Sequence, residues 1–317
     1  MGSDVIVVGS GVIGLTTAIV LAESGRNVRI WTKDPAQRTT SAVAGAIWGP
    51  YRAGPEELVR AWSQRTFHTL AGLAEKPTET GVRMVSGFGA TRTPELPWWT
   101  EPAQEVRPAR PGELPPGYRT GYRARLPLVD MPVHLTYLLR RFEAAGGRVE
   151  QHPVASLAEA AQEAPYVVNC TGLGARALVP DPEMHPVRGQ LVVVENCGID
   201  EWFVEAGAHD AESVYIFPHP DRVILGGTAY DDVWSRTPDP RVAEAIVSRC
   251  VQVDPRLGAA RILEHRVGLR PYRPLVRLES EPLAHGAVCV HNYGHGGSGI
   301  TLSWACAADA AALVPAS

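Results

Sequence analysis

The feature that most constrains this chain lies at its start. A short, nearly continuous β-branched run leads straight into Gly9-x-Gly11-x-x-Gly14. The run from Asp4 to Val8 predicts a strand buried on both faces. LTTAIVLAESG then has helical periodicity and stops at Gly25, a residue suited to the position just past a helix end. NVRIW predicts the second strand. Strand, glycine turn, helix and strand in that order form the nucleotide-binding unit of a doubly wound sheet. In such a unit Gly9 permits the tight turn and Gly11 removes a side chain that would obstruct a pyrophosphate. Gly14 lets helix and strand pack closely. The helix start at Val12 and Ile13 offers free N–H groups and partial positive charge to phosphate. An acid for the ribose is expected about 20 residues further on. Asp34 stands there, slightly past the strand, preceded by Lys33, while Thr32 occupies the place where the acid is expected; Lys33 and Asp34 are both candidates. The motif alone does not separate a flavin from a nicotinamide dinucleotide.

Other classes are disfavoured by composition. The net charge is −4, so no basic surplus points to a nucleic-acid partner. No apolar run approaches the roughly 20 residues needed to span a bilayer, so no membrane association is expected. The five cysteines are scattered, odd in number and lack a Cys-x-x-Cys pair, which suits reduced thiols in a cytoplasmic setting. The 317 residues suffice for two domains.

Along the chain, the stretch after the second strand holds Thr40, Ser41, Gly45, Ala46 and Ile47, small residues suited to wrapping a cofactor. PEELVRAWSQRTFHTLAGLAE predicts an amphipathic helix. The proline-dense segment from Pro94 to Tyr118, with Trp98 and Trp99, is excluded from helix and central strand and is read as an ordered loop. From Asp130 the α/β pattern returns: Asp130 as helix cap, Pro132 in the first turn, a helix, a strand, and then a buried strand ending in Asn169-Cys170-Thr171-Gly172. From Gly189 to Gly226 alternation and turns predict an antiparallel sheet. The fold class is therefore α/β: a discontinuous Rossmann-like dinucleotide domain (residues 1–50, 130–187 and 271–317) and a substrate domain with a mostly antiparallel sheet (residues 51–129 and 188–270).

The last apolar strand enters HNYGHGGSGIT. His291 and His295 precede the helix and lack the helical spacing of a zinc pair, and no carboxylate cluster accompanies them, so no metal is expected. A phosphate loop would need a Gly-Lys-Ser/Thr sequence, which is missing. Gly294, Gly296, Gly297 and Gly299 instead strip side chains from a turn at a helix N-terminus, leaving bare amides to face a developing anion.

The segments VVGSGVIGLTTA, TTSAVAGAIWGPY, VVNCTGLGA, VYIFPHPDRVILGGT, VGLRPYRPLVRLE and HNYGHGGSGIT occur in an order that resembles the D-amino-acid oxidases along nearly the whole chain. The resemblance implies FAD, held by Gly9, Gly11, Val12, Ile13, Gly14, Lys33, Asp34, Thr40, Ser41, Gly45, Ala46, Ile47, Val154, Thr171, Gly172, Arg270, Gly296, Gly297, Ser298, Gly299, Ile300 and Thr301. It implies Arg270 as the fork that grips a substrate carboxylate, Tyr215 as a second carboxylate contact, Tyr230 as a further substrate-facing tyrosine, and the Gly297 carbonyl as acceptor for the substrate amine. Arg266, Arg273 and Arg277 are better suited to ordinary ion pairs. The implied reaction passes a hydride from the Cα of a D-amino acid to flavin N5; the imine hydrolyses to a 2-oxo acid and ammonia, and O₂ is reduced to hydrogen peroxide. Trp48, Tyr51, Phe217 and Tyr230 favour neutral, apolar side chains, whereas an acidic substrate would call on Arg52, His219 or Arg236. GAHDAES, ahead of the VYIFP strand, lacks a lid tyrosine and suggests a short lid. Glycine or sarcosine oxidase, D-aspartate oxidase and an NAD(P)-dependent dehydrogenase are the alternative readings, and a homodimer is left open.

Overall fold

A computed structural model of the chain describes residues 4–92, 104–110, 112–205 and 211–315. In the first half the elements are β1 (Val5–Val8), α1 (Val12–Glu23), β2 (Val28–Thr32), α2 (Glu56–Leu73), α3 (Pro77–Thr80), β3 (Val82–Thr91), β4 (Gln104–Pro108), β5 (Thr120–Val129), α4 (Met131–Ala144), β6 (Arg148–Gln151) and α5 (Leu157–Ala160). There follow β7 (Tyr166–Asn169), α6 (Ala175–Leu178), β8 (His185–Glu195), β9 (Trp202–Glu205), β10 (Glu212–Pro218), β11 (Arg222–Thr228), β12 (Tyr230–Asp231), α7 (Pro240–Val253), β13 (Ile262–Pro282), β14 (Val288–His295) and α8 (Gly299–Ala312).

The strands form one continuous sheet in the order β4-β5-β3-β9-β10-β11-β8-β13-β14-β7-β1-β2-β6, with β12 attached to β8. From β14 to β6 every neighbour is parallel. Beyond β14 the pairing is antiparallel except for β3 with β9. The 21-residue β13 joins the two regions. Ile262 to Tyr272 pairs with β8 and Tyr272 to Pro282 with β14, so both sheets share one backbone. Pro271 and Pro274 sit where β13 changes partners and its register shifts. Missing amide donors are tolerated there.

Local sequence explains the elements that build the site. β1 is wholly buried because strands flank it on both edges and helices cover its faces. α1 is buried nearly all round (Leu15, Ala18, Ile19 and Leu21 among others), since it lies between the sheet, α4 and α8. Gly25, at φ +92°, ends it. At Gly14 a Cβ would stand 1.9 Å from the Gly9 carbonyl oxygen, so only glycine allows this approach of helix to turn. Asp130 begins α4, but its carboxylate does not cap the helix. It accepts a hydrogen bond from Arg222 at 2.8 Å instead. In the proline-dense segment residues 104–108 are strand after all, at the sheet's edge, where proline is accommodated. Trp98 and Trp99 lie outside the described residues. Among the described residues no helix is long and apolar enough to cross a membrane.

Buried histidines, His134 and His219 among them, should make this fold acid-sensitive. Burial lowers His134 from 6.5 to about 4, against the pull of its hydrogen bond to the Thr80 carbonyl. Burial, and then the nearby Arg222, lower His219 to about 4 as well. Both stay uncharged in the folded state while the unfolded chain takes up protons below its ordinary pKa. Their stabilising effect is complete above about pH 6.5 and is lost as pH falls toward 4. Thermal melts at pH 7.5 and 5 should show a drop of roughly 1–2 kcal/mol per histidine, and His134→Gln should reduce that drop. A melting temperature indifferent to pH over this window would contradict the burial.

Candidate active site

One cavity of about 1090 Å³ opens along the carboxyl ends of the parallel strands and runs beneath the antiparallel sheet. Small-molecule pockets occupy about 300–1,000 Å³, so this one has room for an extended cofactor with a small substrate beside it. Its wall takes in the glycine turn after β1, the 38–53 loop, the 170–174 turn after β7, and the turn between β14 and α8.

At the first of these, Gly9 has φ +111°, and a Cβ there would lie 2.5 Å from the Cys170 carbonyl oxygen. The first i to i−4 bond of α1 is Leu15 N–H to the Gly11 carbonyl at 2.9 Å, so the preceding amides are free of the helical ladder. Val12 N–H donates to Ser41 Oγ at 3.0 Å, which ties the 38–53 loop to the turn. Ser10 Oγ lies 2.8 Å from Thr32 Oγ1 and donates to the Asp34 carbonyl. Thr32 thus has its hydroxyl engaged in structure, and it lines the wall together with Lys33 and Asp34.

α8 repeats this arrangement. Its first ladder bond is Leu302 N–H to the Ser298 carbonyl at 3.0 Å, so the amides of Gly299, Ile300 and Thr301 precede the ladder. The amides of Gly297 and Ser298 are not free: they donate to the Tyr51 and His295 carbonyls at 3.2 and 2.9 Å. The bare amides expected at this glycine turn are therefore those of residues 299–301. Two neighbouring helix starts thus turn their positive ends toward the same cavity.

Arg270 lies on the wall near the partner switch of β13. Its Nη1 donates to the Thr228 carbonyl at 2.9 Å, and among the described residues it has no carboxylate partner. The neighbouring arginines differ. Arg266 pairs with Glu264 at 2.7 Å, Arg273 with Asp181 at 3.0 Å, and Arg277 with Glu279 at 2.6 Å. Tyr215 stands beside Arg270, its ring stacked on Phe217 at 4.6 Å and lying against Gly226, where a Cβ would come within 2.0 Å. Burial raises the Tyr215 hydroxyl above its ordinary value, with Arg270 opposing; the phenol stays protonated at neutral pH and can donate.

The wall includes the anticipated Gly9, Gly11, Val12, Ile13, Lys33, Asp34, Thr40, Ser41, Gly45, Ala46, Ile47, Val154, Thr171, Gly172, Tyr215, Arg270, Gly296, Gly297, Gly299 and Ile300. Four anticipated residues lie elsewhere. Gly14 works behind the wall in packing. Ser298 Oγ accepts from Tyr51 N–H at 2.7 Å, and Thr301 Oγ1 accepts from Gly49 N–H at 3.1 Å. Each returns a bond to the same residue's carbonyl, so the two hydroxyls clip the loop to α8. Tyr230 is turned away, its hydroxyl donating to Glu212 at 3.0 Å. Of the three cations considered for an acidic substrate, Arg52 is tied to Asp231 at 2.7 Å and His219 is buried beside Asp130, off the wall. Arg236 is on the wall but exposed. His291 is buried against Asn169 and Glu281. Burial lowers His295, on the wall, to about 3. Most of GAHDAES, residues 207–210, lies outside the described residues. Leu126, Met131 and Val204 also line the cavity. They come from elements with no motif, and ordinary strand and helix residues carry no sequence signal of that kind.

The residues fit a flavin dinucleotide: bare glycine backbone at both turns, two free helix starts for anionic groups, and a long, largely apolar trough. Fold and cavity together define a dinucleotide-binding oxidoreductase on a doubly wound sheet. The family model described as FAD dependent oxidoreductase matches residues 4–313. A D-amino-acid oxidase of Streptomyces coelicolor is 54% identical over 98% of this chain and 96% of its own length. One of Rubrobacter xylanophilus is 52% identical over 98% and 95%. The glycine oxidase structure from Geobacillus kaustophilus superposes with a TM-score of 0.83 at 20% identity, covering 98% of this chain and 94% of that one. The chain belongs to the FAD-dependent oxidoreductase family, and FAD is its cofactor.

The double clip at α8 is testable. Ser298→Ala removes the partner of the Tyr51 amide and should destabilise the protein by about 1–3 kcal/mol in urea titrations, with weaker FAD retention on gel filtration. Unchanged stability and retention would show that the loop is held by other contacts.

Proposed function

We propose that this protein oxidatively deaminates D-amino acids with neutral, apolar side chains to 2-oxo acids, using O₂ as the final acceptor. The observation that carries the reading is Arg270, a guanidinium on the wall of a dinucleotide-sized cavity, without an ion-pair partner among the described residues while its neighbours along β13 are all ion-paired. A planar fork with free N–H groups suits a carboxylate. The D-amino-acid oxidases of S. coelicolor and R. xylanophilus support the D hand.

On this reading Arg270 takes the substrate carboxylate with two parallel bonds and Tyr215 adds one from its protonated hydroxyl. FAD, when bound, would supply the two-electron acceptor for the Cα hydride, with O₂ as the final acceptor and hydrogen peroxide as the product. The chain's own contribution is orientation: fixing the carboxylate at Arg270 sets the Cα–H direction, and the neutral amine's lone pair assists the departing hydride. The resulting imine hydrolyses to 2-oxo acid and ammonia. The amides of Gly299, Ile300 and Thr301 favour negative charge at their end of the cavity, and the Gly297 carbonyl is the proposed acceptor for the amine. Tyr51, Phe217 and Val204 beside Arg270 and Tyr215 support the preference for apolar side chains. The five unbonded cysteines support a reducing, cytoplasm-like compartment.

Anaerobic mixing with D- and L-alanine in parallel tests the reading. The wild-type flavin should bleach with the D form alone. Arg270→Leu should retain FAD but bleach about 10²–10³-fold more slowly at low substrate. Normal turnover by that variant would remove Arg270 from the site.

A further inference from the structure

A cation held half-buried without a counter-charge needs some other stabilisation, and the surroundings of Arg270 supply one. The guanidinium carbon lies 5.6 Å from the centre of the Tyr51 ring, within the range of attraction between a cation and an aromatic face. It also rests on bare backbone: a Cβ at Gly189 would meet Arg270 Nη1 at 2.4 Å and Cζ at 2.7 Å. Tyr51 is itself fixed. A Cβ at Gly297 would stand 2.5 Å from its ring. Its amide donates to Ser298 Oγ at 2.7 Å, and its carbonyl accepts from Gly297 N–H at 3.2 Å and Ser298 Oγ at 3.0 Å. The ring therefore has a set place relative to the glycine turn before α8.

Other arginines in this protein also lie over rings: Arg52 over Tyr272, Arg92 over Tyr118, Arg141 over Trp304 and Arg277 over Tyr293. Each of these also has a carboxylate, from Asp231, Glu205, Glu23 and Glu279 respectively; Arg26, over Tyr166, has none among the described residues but lies off the cavity wall and bonds the Pro315 carbonyl. Arg270 has no carboxylate among the described residues; its neighbours are the Tyr51 ring, the Thr228 carbonyl and the neutral Tyr215 hydroxyl. A carboxylate in that place would occupy the N–H edges and compete with an incoming anion. An aromatic face attracts the cation from above the guanidinium plane and leaves those edges open.

We infer that Tyr51 is the positioning residue of Arg270, its ring face standing in for a counter-ion so that the guanidinium stays aligned and free to take a substrate carboxylate. The inference rests on the reading of Arg270 as the carboxylate anchor, and it assigns the ring, not the hydroxyl, as the working part. The FAD-loaded protein tests it through propionate, a carboxylate without an amine to oxidise, whose binding is followed by the change in flavin absorbance. Tyr51→Leu should bind propionate about 5- to 30-fold more weakly, with KM for D-alanine rising more than kcat falls. Tyr51→Phe should stay within about 2-fold of wild type, since the face remains. Progressively fluorinated phenylalanine at position 51 keeps the shape while draining charge from the face, so propionate affinity should fall stepwise across that series. A flat series, or a Tyr51→Phe loss as large as that of Tyr51→Leu, would overturn the inference. A wild-type protein that binds propionate but never oxidises D-alanine would instead refute the oxidase reading and leave the ring and guanidinium pairing intact.

Discussion

An unpaired guanidinium inside a folded protein is the constraint around which this molecule is arranged. Removing a charge from water is costly unless something compensates for it. The chain spends carboxylates freely on Arg266, Arg273 and Arg277, yet among the described residues none lies beside Arg270. The compensation is distributed instead: the Thr228 carbonyl, the Tyr51 face, and proximity to Tyr215. Glycines make that crowding feasible, since Gly189 admits the guanidinium and Gly226 admits the Tyr215 ring. The positive potential that remains is what a small anion meets on entering.

The other half of the cavity follows the same logic with backbone in place of side chains. α1 and α8 pack against each other, joined by Thr16 Oγ1 to the Ser303 carbonyl at 3.3 Å and, through β14, by Asn292 Nδ2 to Thr17 Oγ1 at 3.1 Å. Their positive ends therefore lie close together, an arrangement that is unfavourable alone and is relieved by negative charge between them. Anionic groups of a bound dinucleotide would be favoured at these helix starts. The cavity thus gathers positive character from two helix starts and from Arg270, which lies against the Gly297 turn leading into α8.

How much of this was legible in the sequence differs by element. The turn at Gly9 to Gly14 and the turn at Gly294 to Gly299 could be read because glycine there answers a local backbone demand. Arg270 could be set apart from Arg266, Arg273 and Arg277 only through resemblance to the D-amino-acid oxidases, since nothing in its neighbourhood shows which arginine lacks a partner. β3 and β5 were missed: Gly87 and Gly89 interrupt the apolar alternation of β3 to make room for the Trp202 and Tyr122 rings, so its pattern is fixed by cross-strand neighbours. Ser298 and Thr301 looked like ligand contacts, but their hydroxyls are directed at the 49–51 loop, a long-range contact that local sequence does not encode. Tyr230 followed the resemblance and proved to belong to the Glu212 cluster.

The shared strand has a mechanical consequence. Because β13 passes from β8 to β14 without a break, the arginine near the changeover is bolted to both sheets by peptide ladders. Flexing one region of the sheet against the other would strain hydrogen bonds along a single backbone, so β13 opposes closure of the jaw-like kind. Whatever admits substrate and lets product go must be the business of loops and side chains at the mouth, while the distance between anion grip and dinucleotide trough stays as rigid as the sheet itself.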